Sequence, residues 1–345
     1  MKIGISSLTE EKLKAYVKGL GQPAFRGGQI FKWLHEKRVD SFSAMTDQPK
    51  AFLQQLEEQC FIERLETAQK QQSKDGTVKY LFRLPDGNCI EAVWMQYSYG
   101  NTVCVSTQVG CRMGCRFCAS TQGGKVRDMT PGEIAGEIYA AMADQGQRVS
   151  HIVLMGIGEP LDNFDNVMDF LSIISSPHGV NIGMRNISLS TCGLVPKIGL
   201  LAKRRLQLTL SISLHAPTNE MRSSMMPVND AYPVERLIEA CRAYQEETGR
   251  RISFEYSMVR GVNDSPETAE KLAKLIKGMG AHVNLIPINP VDGSPFTATD
   301  AAAIRQFQEH LTKLGVNATV RRRLGTDISA ACGQLRREAK GVNDA

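Results

Sequence analysis

Three cysteines stand close together in the run Cys111-Arg112-Met113-Gly114-Cys115-Arg116-Phe117-Cys118. A thiolate is a soft donor for iron or zinc, and it is also a good nucleophile. Three thiols on one loop, with three and then two residues between them and a glycine among them, can hold three corners of a cubic [4Fe–4S] cluster. The fourth iron is then open to an outside ligand. A structural zinc site takes four protein ligands, usually as two separated pairs. A zinc knuckle here would have to recruit Cys104, and a chance grouping is the third reading. The spacing favours the cluster. The chain has 345 residues and nine cysteines, an odd number that excludes complete disulfide pairing. Their density is too low for a disulfide-stapled secreted scaffold.

The elements around this loop divide the chain in two. Ser7 with Glu10 reads as a capping box for a first helix, with Leu13, Tyr16, Val17 and Leu20 on one face. Further helices are expected over 29–37 and 49–60. The polar stretch 69–76 reads as a linker or turn, and strand-like runs at 78–84 and 89–95 flank the turn Pro85-Asp86-Gly87. From residue 102 onward, short β-branched runs alternate with amphipathic helices. Strands are expected at 102–107, 151–155, 186–190, 207–213, 252–258 and 282–287, with a weaker seventh at 317–321. That alternation implies parallel βαβ units closing fully or partly into a barrel, with ligands at the carboxyl ends of the strands. A doubly wound open sheet is the alternative. Hydrophobic residues make up 42% and charged residues 22%, so a wholly disordered chain is excluded. The longest apolar run, 152–158, is far short of the roughly 20 residues a spanning helix needs. No signal peptide is evident, and a cytoplasmic, monomeric protein without membrane association is expected. The net charge of +5 permits a polyanionic partner without requiring one.

The cysteine motif after a first strand resembles that of the radical S-adenosylmethionine (radical SAM) superfamily. Longer stretches resemble a narrower family, the bacterial dual-specificity RNA adenine-C2 methyltransferases called RlmN. They are Cys104-Val105-Ser106-Thr107-Gln108-Val109-Gly110-Cys111, Gly156-Ile157-Gly158-Glu159-Pro160, Ser213-Leu214-His215-Ala216-Pro217 and Gly261-Val262-Asn263-Asp264. Val283-Asn284-Leu285-Ile286-Pro287 and 327–335, around Cys332, complete the set. The resemblance implies a partial (β/α)6 barrel of α/β class with an N-terminal helical accessory domain. It divides the chain into an RNA-binding domain over 1–70, a hairpin linker over 71–97, a radical SAM core over 98–330 and a C-terminal segment over 331–345. It implies methylation of C2 of adenosine 2503 in 23S rRNA and of adenosine 37 in certain tRNAs, with two SAM per turnover and reduced flavodoxin or ferredoxin as electron donor.

Carbon 2 of adenine is electron-poor and does not displace a methyl group from SAM as an ordinary nucleophile would, so a radical route is chemically reasonable. By resemblance, Cys111, Cys115 and Cys118 hold one [4Fe–4S] cluster, and SAM chelates its open iron. Cys332 carries the methyl group, and Cys104 resolves the protein–RNA bridge, leaving a disulfide to be reduced. Read from the residues alone, both cysteines would be buried apolar groups. Glu91 matches the family's proton acceptor, with a solvated strand residue as the plain alternative. Gly158, Glu159, Ser190, Ser213, Leu214, His215 and Asn289 match SAM contacts. The plain readings are a βα turn for Gly158 and Glu159 and a structural histidine for His215.

Four basic clusters, 203–205, 250–251, 321–323 and 336–337, are candidates for phosphate contact. At least two of them are expected to be plain solvated faces. The sister Cfr-type enzymes, which act at adenine C8, tend to carry cysteine at the position of Val109 and alanine at that of Pro160, so both residues favour C2. Cys192 stands where serine is common, and Leu324 where a polar or basic residue is frequent. A rival of another class is a zinc-containing RNA-binding protein without enzymatic activity.

Overall fold

A computed structural model describes residues 2–288, 295–325, 327 and 328. The N-terminal part packs α1 (Glu10–Gly19), α2 (Phe25–Lys32) and α3 (Lys50–Gln59) around Leu13, Val17, Ile30, Phe31, Phe52 and Leu56. A short parallel pair, β1 (Ile3–Gly4) and β2 (Cys60–Phe61), closes it. The cap of α1 differs from expectation. Thr9, not Ser7, accepts the Lys12 amide, while Ser7 hydrogen-bonds Glu63 and accepts the Gly132 amide. Ser7 thereby ties this domain to the next. The second helix begins at Phe25, four residues earlier than its apolar pattern indicates, and ends in a wider turn over Trp33–Lys37.

The rest is built on one ten-stranded sheet. Antiparallel strands β3 (Glu66–Gln72), β4 (Val78–Arg83), β5 (Cys89–Tyr97) and β6 (Gly100–Cys104) form one side. Of the stretch expected as linker or turn, 69–72 belong to β3 and 73–76 make the turn into β4. Strand β3 is an edge strand exposed along nearly its whole length, so its residues are polar and show no apolar alternation. The cluster loop lies between β7 (Gln108–Gly110) and β8 (Lys125–Asp128), a small antiparallel pair.

Parallel strands continue from β6 in chain order: β9 (His151–Leu154), β10 (Ile187–Thr191), β11 (Thr209–Ser213), β12 (Ile252–Met258), β13 (His282–Pro287) and β14 (Asn317–Val320). The crossovers are α4 (Pro131–Gln145), α5 (Phe164–Ser175), α6 (Val195–Lys203), a group of α7 (Asn219–Met225), α8 (Val228–Ala231) and α9 (Val234–Thr248), then α10 (Pro266–Leu275) and α11 (Ala301–Lys313). Six helical connections joining seven strands make a partial (β/α)6 barrel. A doubly wound sheet would reverse strand order, and this one does not. Local sequence fixes each unit. Thr130 and Glu133 form a capping box ahead of α4, Pro131 occupies its first turn, and Gly146 ends it at φ 62°. Among the described residues, no helix is long and apolar enough to cross a membrane.

Candidate active site

The cluster loop is held from three sides. The Cys111 amide donates to Gly124 O at 3.0 Å, the Cys118 amide to Cys115 O at 3.1 Å, and the Arg116 amide to Met225 O on α7 at 2.9 Å. Thr121 Oγ1 donates to the carbonyls of Cys115 and Cys118. Cys111, Cys115 and Cys118 line a cavity of about 300 Å3 at the carboxyl ends of β9 to β13. Among the described residues, no three His, Cys, Asp or Glu side chains are grouped to hold a single metal ion. Three thiols spread around one cavity wall fit a polynuclear cluster, whose ligands sit on different irons.

Gly158, Glu159, Ser190, Ser213 and His215 line the same cavity. Gly158 adopts φ 109°, and a Cβ there would stand 2.7 Å from that of Gln108, so the turn requires glycine. Gln108 Oε1 accepts the Glu159 amide at 2.9 Å. The Glu159 carboxylate accepts the amides of Leu161 at 3.0 Å and Cys192 at 2.7 Å. It braces two strand ends, and burial raises its pKa. His215 also has φ above zero, at 58°. Its Nδ1 accepts the Ser257 amide at 2.9 Å, which leaves the proton on Nε2, and burial holds the ring neutral by lowering its pKa to about 3. Phe117 of the cluster loop meets the ring edge-on at 4.9 Å. Leu214 packs into the core instead of lining the cavity; its carbonyl accepts from Arg222. Asn289 and Cys332 lie outside the described residues.

Glu91 is 3% exposed and pairs with the fully buried Lys79 at 3.0 Å, which excludes a solvated strand residue. Its carbonyl accepts Ser106 Oγ at 2.7 Å, and its charge reaches Cys118. Cys104, half-buried, ends β6 next to β5, where it pairs with Val93. Burial pushes its thiol up to about 11, while Arg321 pulls the other way.

Several wall residues carry little or no sequence signal. Glu255 on β12 faces the cavity and accepts Asn284 Nδ2 at 2.8 Å. Burial raises its pKa against the pull of Arg321. A lone carboxylate within Ile252-Ser253-Phe254-Glu255-Tyr256 was the available sign. Cys192 also lines the wall, near Cys115. Of the basic clusters, 203–205 follows α6 and 250–251 precedes β12, so both sit at the amino-terminal edge, away from the cavity. Arg205 pairs there with Glu247. The cluster 321–323 follows β14 at the cavity edge, and Arg321 lines the cavity.

Comparison with known proteins agrees with this arrangement. Residues 105–276 match the Radical SAM superfamily, and residues 3–62 match the ribosomal RNA large subunit methyltransferase N-terminal domain. A solved radical SAM methyltransferase from Sphaerobacter thermophilus superposes with TM-score 0.91 at 43% identity, covering 96% of this chain and 98% of that one. The fold and site are those of a radical SAM enzyme, a class whose chemistry uses a [4Fe–4S] cluster and SAM. Curated relatives named "Probable dual-specificity RNA methyltransferase RlmN" include those of Lachnospira eligens, 51% identical over 96% of this chain and 95% of the relative, and Geobacillus kaustophilus, 51% identical over 96% and 92%. The chain belongs to the RlmN family of radical SAM methyltransferases.

Proposed function

We propose that this enzyme methylates C2 of adenosine 2503 in 23S rRNA and of adenosine 37 in certain tRNAs, consuming two SAM per turnover. The observation that carries the reading is the convergence of Cys111, Cys115 and Cys118 with Gly158, Ser190, Ser213 and His215 on one cavity, beside the buried Glu91 and the half-buried Cys104. Cys111, Cys115 and Cys118 would hold a [4Fe–4S] cluster that, with SAM bound, would supply a 5′-deoxyadenosyl radical able to take up one hydrogen atom.

The chain's own residues do the rest. Cys332 takes a methyl group as a thioether and, after loss of one hydrogen atom, presents that carbon to C2 of a flipped-out adenine. Glu91 accepts the C2 proton, and one electron would leave the adduct radical for the oxidised iron–sulfur centre, giving a neutral methylene bridge. The Cys104 thiolate attacks the Cys332 sulfur, the bridging C–S bond breaks, its carbon takes up a proton to become the methyl group, and a disulfide remains for an external reductant to open. Burial pushes the Cys104 thiol up to about 11, and Arg321 offsets part of that rise. Gly158, Glu159, Ser190, Ser213, His215 and Asn289 are assigned to SAM. Two backbone amides hold the Glu159 carboxylate in place, one on each oxygen. The clusters 321–323 and 336–337 are assigned to RNA phosphates, and reduced flavodoxin or ferredoxin to electron supply in the cytoplasm. Val109 and Pro160 support C2 over C8.

The test is mass-spectrometric mapping of methyladenosine in a deletion strain with and without this gene. A C2 mark at both RNA positions is expected, whereas a C8 mark or none refutes the reading. In the Cys104→Ala variant, a covalent protein–RNA adduct joined through Cys332 should accumulate. Normal turnover of that variant would refute the pairing of the two cysteines.

A further inference from the structure

Arg222 is fully buried on α7, yet it stands behind the cavity wall instead of lining it. Its Nε donates to Leu214 O at 3.1 Å, Nη1 to Asn229 Oδ1 at 3.2 Å, and Nη2 to Cys192 O at 2.6 Å and Ser213 O at 3.2 Å. Every one of these acceptors is neutral. The side chains of Cys192, Cys115 and Cys241 lie close enough to act on its charge. A guanidinium stays charged at neutral pH. A buried charge without an opposite charge costs several kcal/mol, so such groups are paired in stable proteins.

The position of α7 identifies the missing partner. Arg116, between Cys115 and Cys118, donates its amide to Met225 at the end of α7. Met225, Met226 and Cys192 pack in one apolar group with Met113, Cys115 and Phe117. The helix that carries the buried cation is thus docked on the loop that carries the ligands.

We propose that Arg222 is the built-in counter-charge of the iron–sulfur cluster and raises its reduction potential. This rests on the assignment of Cys111, Cys115 and Cys118 as cluster ligands. Three thiolates make the site anionic, and one-electron reduction adds a further negative charge. A fixed positive charge in a dry surround stabilises the reduced form more than the oxidised one. Arg222 is a positioning residue, acting through the cluster without touching SAM or RNA.

The experiment compares Arg222→Gln, which keeps hydrogen-bond donors without charge, with Arg222→Lys, which keeps charge without the planar fork. Each variant and the parent is reconstituted with iron and sulfide and titrated potentiometrically with electron paramagnetic resonance detection. Arg222→Gln should be at least tenfold harder to reduce, a fall of about 59 mV for a one-electron couple. Arg222→Lys should stay close to the parent. A purely structural arginine predicts similar behaviour of the two variants, and that result overturns the proposal. So does failure of both variants to retain iron, which would make Arg222 a brace for the loop. If the parent itself binds no cluster, the ligand assignment fails instead.

Discussion

Replacing Glu91 by glutamine should cost stability and turnover for two separable reasons. Glu91 and Lys79 are 3% and 0% exposed and 3.0 Å apart. At an effective dielectric of about 20, two unit charges at that separation attract by roughly 5 kcal/mol. Removing one member leaves the other charge buried without that partner, and such losses run at about 3–5 kcal/mol. Glu91→Gln should therefore lower unfolding free energy by roughly that amount in urea titrations, and so should Lys79→Met. The double variant should recover much of the loss, because it leaves no buried charge without its partner, so the cycle should give a coupling energy of about 2 kcal/mol or more. Methyl transfer should respond differently. The double variant regains stability but stays inactive on RNA, since it lacks the proposed proton acceptor. A coupling energy near zero would refute the buried pair. Recovery of methyl transfer in the stabilised double variant would refute the acceptor role.

Two further predictions concern the tail and the domain junction. Asp75 Oδ2 accepts the Gly325 amide, and Asp327 accepts the Lys74 amide and Ser73 Oγ, so the β3–β4 turn holds the root of the segment leading to Cys332. Two lost hydrogen bonds involving charged groups are worth about 1.5–3 kcal/mol each. Asp75→Ala with Ser73→Ala should reduce single-turnover methyl transfer roughly tenfold or more, with iron content and SAM affinity unchanged; undiminished transfer would dismiss the anchor. His35 is fully buried between the domains against Tyr139, and burial lowers its pKa to about 3 from 6.5. The native state therefore binds fewer protons than the unfolded chain between these values, so this stability term is present above pH 6.5 and is lost as pH falls toward 3. By pH 5 roughly 2 kcal/mol of it has been lost. His35→Gln should lose about that much less stability between pH 7 and pH 5 than the parent, and an identical loss would contradict the buried neutral ring.

Much of the site was legible because its signals are short-range. The three cysteines proposed as ligands lie within eight residues, and the Gly156–Pro160 and Ser213–Pro217 turns sit at strand ends. Parallel strands, buried on both faces, read as apolar runs. The exposed edge strand β3 did not, because neither of its faces meets a core. Glu255 and Arg222 were illegible for another reason. A charged residue in a strand or helix reads as a solvated face, and only folding reveals that no solvent reaches it. Ser7 resembled a local cap while its true partners, Glu63 and Gly132, lie far along the chain.

The sequence by itself determined the class of chemistry, the alternation of strand and helix, and the thiols available. Those properties follow from residue type and from spacing within a turn or two. Tertiary structure decided which carboxylates are buried, which basic clusters face the cavity and which cation stands behind the cluster loop. Burial and charge neighbourhood arise when segments far apart in the chain pack together. Lys79 and Glu91 become a desolvated ion pair only when β4 lies beside β5 in register, and Arg222 reaches Cys192 and Ser213 only because the ends of the paired strands β10 and β11 meet beside α7.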